Sequence, residues 1–166
     1  MKPIGDEQDL DDYFMGEAIR EAKKAAQSED IPIGCVVVSG GKIVGRAHNQ
    51  IELLKDATAH AEMIAITQAE EAAGDWRLSA AALYATKEPC PMCAGAILQA
   101  RIRRVVFGAR APRDGAAGGA VDLLRNERLG SAVECRGGVR EAECAALLQS
   151  FFKTLRQPGP GKNRPE

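Results

Sequence analysis

Residues 81–109 read AALYATKEPCPMCAGAILQARIRRVVFGA, and the fold class turns on them. AALYAT (81–86) is a short apolar run that suits a strand. PMCAGAILQA (91–100) opens on Pro91, which fits a first helical turn because its missing N–H would be unpaired there anyway. RRVVFGA (103–109) returns to β-branched and apolar residues, a second strand. Working towards the N-terminus, TAHAEMIAITQAEEAA (58–73) is rich in Ala, Met, Ile and Glu, with no internal Gly or Pro, and Gly74 stops it as a helix. IPIGCVVVSGGKIVGRAHN (31–49) holds two apolar runs around Ser39-Gly40-Gly41, a hairpin signal. Leu10, Phe14, Ala18, Ala22 and Ala25 recur at helical spacing in a segment that ends near Ser28. Towards the C-terminus, RAPRDGAAGGA (110–120) reads as a loop, VDLLRNERLG (121–130) as a short helix and SAVECRG (131–137) as a short strand. A last helix is predicted from Val139 to Arg156, with QPGPGKNRPE (157–166) as a flexible tail. Alternating strands and helices predict an α/β layered domain with helices on both faces of one sheet, a single domain over residues 1–156.

Composition narrows the function classes. With 45% hydrophobic and 27% charged residues the chain should fold rather than stay disordered. The opening MKPIGDEQDLDDYF carries acids and no apolar run, and no stretch approaches bilayer length, so a cytoplasmic protein is expected. Five cysteines, an odd number, favour metal ligation or buried thiols over a disulfide framework. Net charge is −1, so any nucleic-acid surface must be local. Arg101, Arg103, Arg104, Arg110 and Arg113 fall close together, and Lys153, Arg156, Lys162 and Arg164 populate the end of the chain, which permits an anionic partner.

The chemistry lies in two short motifs. His60 alone in an Ala-rich helix has a plainer reading as a core or surface residue, and Cys90-x-x-Cys93 alone also suits a redox pair or two small buried side chains. Together they say more. Cysteines three apart at a helix start project to one side, where the helix N-terminus favours the thiolate. His60, at the start of another helix, supplies a third ligand if both helices begin at the same end of the sheet. Three protein ligands leave one tetrahedral position open, which distinguishes catalytic from structural zinc. Glu62 follows closely enough to reach a water in that position and act as proton shuttle. Cys35, Cys135 and Cys144 read as small buried side chains.

The pattern His60-x-Glu62 … Pro89-Cys90-x-x-Cys93 resembles the zinc nucleobase-deaminase signature. Further stretches, PIGCVVV, HNQ, ATAHAEMIAI, EPCPMCAGAI, RIRRVVFGAR, GAAGGAVDLL and ECAALLQSFFKTLR, resemble the bacterial tRNA-specific adenosine deaminases over most of residues 10–156. The resemblance implies a three-layer α/β/α cytidine deaminase-like fold around a mixed sheet of about five strands. It also implies a homodimer, a Zn²⁺ ion on His60, Cys90 and Cys93, Glu62 as the proton shuttle, and conversion of adenosine to inosine at the wobble position of a tRNA anticodon stem-loop. Asn49 matches the residue that bonds the target nucleotide, though a turn-capping role is the plainer reading. Ile31, Ala61, Pro89, Arg110 and Ala111 fall at positions that line the substrate. Of Phe151 and Phe152 one ring is expected in the core, while the other, with Lys153 and Arg156, lines the RNA path.

Ala111 stands where the family has an aspartate that contacts the target nucleotide's sugar, which predicts relaxed discrimination between RNA and single-stranded DNA. Ala57 replaces a proline, and Lys87 replaces an apolar residue and reads as a solvated strand end. Two other functions fit the same motifs: a free-base or nucleoside deaminase, which would need a closed pocket, and a non-catalytic zinc-bearing RNA-binding subunit, which has no use for Glu62.

Overall fold

The computed structural model describes residues 6–130 and 132–157. Its first helix, α1 (Glu7–Gln27), starts where the Asp6 carboxylate accepts the Asp9 N–H, which satisfies one of the unpaired donors of the first turn. Strands β1 (Gly34–Ser39) and β2 (Lys42–His48) form the expected hairpin, turning at Gly40 and Gly41, both at positive φ. A one-turn helix α2 (Ile51–Leu54) leads to α3 (Ala61–Ala73), which Gly74 ends in the left-handed conformation. Then come β3 (Ala81–Lys87), α4 (Pro91–Gln99), β4 (Arg104–Ala109), β5 (Glu134–Gly137) and α5 (Glu141–Arg156).

The five strands make one sheet in the order β2-β1-β3-β4-β5. β1 runs antiparallel to both β2 and β3, whereas β3, β4 and β5 are parallel, so the sheet is mixed as expected. Period-two alternation divides each strand between two cores. Cys35, Val37, Leu83, Ala85, Val105 and Phe107 pack with Ala65 and Ile66 of α3 and with Ala94 and Ile97 of α4. Val36, Val38, Tyr84 and Val106 pack on the other face, against Phe14, Met15, Ala18 and Ile19 of α1 and Cys144 of α5. The result is the three-layer cytidine deaminase-like arrangement.

Local expectations fared unevenly. Residues 121–130 form no α-helix; only Glu127–Leu129 make a 3₁₀ turn. Long-range bonds hold this segment open: Leu123 N–H donates to Ala116, and Val133 N–H donates to Leu124. β5 begins at Glu134 rather than 131, and α3 begins three residues later than expected, after Asp56 takes the Thr58 N–H and hydroxyl. Leu10, assigned to the buried stripe of α1, is 45% exposed. Ser131 and tail residues 158–166, with Lys162 and Arg164, lie outside the described residues.

Candidate active site

One edge of the sheet gathers the motif residues. Because β3 and β4 are parallel, their C-terminal ends coincide, with Lys87 opposite Ala109. Antiparallel β1 brings its N-terminal end there, Cys35 facing Ala85, and β2 brings its C-terminal end, His48 facing Gly34. Asn49 follows, its N–H donating to Ile33. Open α/β sheets bind ligands at such an edge, beyond the carboxyl ends of parallel strands.

Helices α3 and α4 both begin here, with His60 and Cys90 as their N-cap residues, and neither side chain caps its own helix. Both are left free to turn elsewhere. Candidate donor atoms of His60, Cys90 and Cys93 all lie within 4.8 Å of one another. His60 Nδ1 is 3.6 Å from Cys90 Sγ and 3.5 Å from Cys93 Sγ. A tetrahedral zinc-sized ion with bonds of about 2.3 Å to sulfur and 2.05 Å to nitrogen needs a separation of about 3.6 Å. One imidazole and two sulfurs at that spacing fit a metal site.

Electrostatics support the same conclusion. The Cys93 thiol donates to Cys90, which with the neighbouring His60 holds the Cys90 thiol down to about 4. That same bond, with burial, pushes Cys93 far up, and the bond to Cys90 raises His60. A cation entering the cluster displaces protons that the sulfurs and imidazole otherwise share. Glu62, on the first turn of α3, is buried, and burial pushes its carboxyl above the ordinary range. A carboxyl tuned towards neutral pH suits proton transfer.

Asn49 is 2% exposed, and its Oδ1 accepts the buried Ala61 N–H at 2.8 Å. It caps α3 in place of His60, one residue from the cluster. Among the described residues its amide nitrogen has no hydrogen-bond partner.

A model of the MafB19-like deaminase family matches residues 8–156. A tRNA-specific adenosine deaminase of Bacillus subtilis (strain 168) is 48% identical over 147 residues, covering 89% of this chain and 91% of its own. A tRNA-specific adenosine deaminase of Streptococcus pyogenes serotype M18 (strain MGAS8232) is 46% identical over 145 residues, covering 87% and 91%. The chain belongs to the tRNA-specific adenosine deaminases. A solved structure from work on A-to-I editing by tRNA:A34 deaminases at the wobble position of transfer RNA superposes with a TM-score of 0.79. It shares 42% identity over 82% of this deaminase and 99% of the matched chain.

Other residues expected to meet substrate are distributed around this edge of the deaminase. Ile31 is partly buried against the α3/α4 core, Ala61 is fully buried, and the buried Pro89 accepts the Ala116 N–H through its carbonyl. Arg110 is exposed and pairs with Glu141 at 3.6 Å, whereas Ala111 is buried, its N–H donating to Glu88. Lys87 is no free strand end, for its ammonium meets Asp114 at 2.6 Å. Phe151, Phe152 and Lys153 lie on α5, on the α1 side of the sheet, and are not part of the ligand cluster. Phe151 is half-buried and meets Phe152 edge-on at 5.6 Å. Phe152 and Lys153 line a shallow groove of about 470 Å³ with Leu148 and Arg156.

The arginine cluster at 101–113 is less available than its spacing implies. Arg104 is bound to Asp11, Glu7 and Glu134, and Arg101 lies over the Trp76 ring at 5.4 Å. Cys35 and Cys144 are buried, Cys135 partly so, and burial raises all three thiols, the last two to about 11. Sequence reasoning missed Glu88. It is buried, and its carboxylate accepts three backbone N–H groups from the loop that follows β4.

Proposed function

We propose that this protein is a zinc-dependent hydrolase that converts adenosine to inosine at the wobble position of a tRNA anticodon loop. The carrying observation is the separation of His60, Cys90 and Cys93, which suits one tetrahedral ion, with Glu62 buried one residue beyond the His60–Ala61 peptide. Zinc held by these three side chains would supply a Lewis acid that makes water nucleophilic near neutral pH. Glu62 takes a proton from the attacking water and gives it to the purine N1. It then takes the remaining hydroxyl proton of the C6 adduct and passes it to the amine, which leaves as ammonia when the C6–N bond breaks and the carbonyl forms. Adenosine and water become inosine and ammonia. The Asn49 amide nitrogen is the donor available to orient the base, while the Ile31, Pro89, Arg110 and Ala111 edge lines its approach. Anticodon bases are unstacked at little cost, which suits a site reached from one sheet edge.

Phe152, Lys153 and Arg156 offer an exposed ring and two cations along one groove, suited to stacking and phosphate contact with a nucleic-acid strand. The Ala111 methyl accepts no ribose hydroxyl, so the protein also acts on single-stranded DNA, and Ala111→Asp restores RNA preference. The active form is a cytoplasmic homodimer whose single deaminase domain spans residues 1–156. Incubation with an adenosine-containing anticodon stem-loop should raise the RNA mass by about one unit as an amine becomes a carbonyl. An unchanged mass with zinc bound, beside turnover of free guanine or cytidine, would replace this reading with a free-base deaminase.

A further inference from the structure

Glu88 is buried, yet it pairs with no cation among the described residues. Its Oε2 accepts the Ala111 N–H at 2.8 Å, and its Oε1 accepts those of Ala117 and Gly119 at 3.0 and 2.7 Å. Backbone bonds continue the seam on either side: Glu88 N–H donates to Ala109 and Ala116 N–H to Pro89, both at 2.8 Å. The loop after β4 is therefore moulded around the dipeptide that immediately precedes Cys90. Its glycines fit this purpose. A Cβ at Gly115 would lie 2.3 Å from the Glu88 carboxyl carbon and 2.6 Å from the Ala111 carbonyl oxygen, and one at Gly119 would lie 2.3 Å from that oxygen and 2.8 Å from Glu88 Oε1. Neither has positive φ, so what bars a side chain there is the close approach of the Glu88 carboxylate together with the Ala111 carbonyl oxygen of the same loop.

A buried carboxylate is costly, and here, among the described residues, no cation but three backbone N–H groups of a single loop offset that cost. These three charge-assisted bonds fix that loop's conformation. We propose that Glu88 is a positioning residue: it holds the Arg110–Gly119 loop as a rigid wall beside the metal cluster, and so sets affinity for the nucleic-acid strand rather than the chemical step. This rests on the function proposed above.

Glu88→Gln tests it, since the amide keeps the size but turns an NH₂ towards a backbone donor; Glu88→Ala is the harsher variant and need not fold. The expected result for Glu88→Gln is faster amide exchange across residues 111–119, zinc content equal to wild type, and a KM for the anticodon stem-loop raised about tenfold with kcat little changed. Exchange at the wild-type rate would overturn the proposal whatever KM does. So would a wild-type KM accompanied by loss of zinc or of kcat, which is the mark of a structural role alone. If wild-type protein leaves the stem-loop unaltered, the functional reading fails, while the exchange rates still judge Glu88.

Discussion

Replacing Asn49 with alanine removes one acceptor and leaves a known donor stranded. The bond from Ala61 N–H is 2.8 Å long, Asn49 is 2% exposed and Ala61 is fully buried, so water has little access to take the vacated place. An unsatisfied buried donor costs about 1–3 kcal/mol. The loss of a helix N-cap, a second measure of the same bond and not to be added to it, costs about 0.5–2 kcal/mol. The ranges overlap near ~1.5 kcal/mol, and at 2–4 °C per kcal/mol for a chain of this size the melting point should fall by about 3–6 °C. His60 precedes the freed N–H, so its ring loses support, and zinc affinity should weaken by about tenfold, the low end for residues that steady a ligand from behind. Thermal unfolding at saturating zinc isolates the first effect, and a competition titration with a chromogenic chelator measures the second. A melting point within 1 °C of wild type would refute the capping argument. An unchanged zinc affinity would show that α3 holds His60 without Asn49.

Glu62→Gln should retain zinc and lower ammonia release by about 10²–10⁴-fold, the usual contribution of a general acid–base group; near-normal turnover would remove Glu62 from the mechanism. Acid stability should depend on Asp11. Burial would raise its carboxyl, but hydrogen bonds from Arg104, Tyr84 and Arg136 outweigh that and hold it below its ordinary value, with Glu7 and Glu134 facing the same arginine. The stabilisation is then fully present above about pH 4 and is lost as pH falls through the folded-state value. Asp11→Asn should flatten the urea midpoint against pH between 2 and 5, and parallel curves would contradict the assignment. Gly45→Ala places a Cβ 2.2 Å from the Ala65 carbonyl, backbone against backbone where β2 meets α3. Overpacking of that kind costs about 1–3 kcal/mol, and a variant with unaltered chemical denaturation would show that α3 moves freely over the strand.

What the sequence disclosed and what it concealed follow from the range of the forces involved. The βαβ stretch at 81–109 was legible because Pro91, the β-branched runs and the apolar spacing act within a few residues, and the same local rules put His60 and Cys90 at two helix starts. Their meeting required only that the helices start at one edge, which the sheet order then supplies. Residues 121–130 misled because Leu123 and Leu124 mimic helical spacing, whereas their backbone is held by Ala116 and Val133, partners fixed only by the tertiary fold. The arginines misled similarly: Arg103 and Arg104 are adjacent in sequence, but strand alternation sends one to solvent and the other under α1 to Asp11. Glu88 shows the limit most sharply. Two residues before Cys90 it carries no reading of its own, because its carboxylate bonds to N–H groups 23 to 31 residues away, and backbone donors carry no signature in the sequence. Gly115 and Gly119 leave room for that carboxylate and for the Ala111 carbonyl, but glycine in a loop has many commoner reasons. The ligands are thus set by short-range rules, while the wall beside them is set by a long-range one, and substitutions in that wall should change which strand is bound before they change the reaction.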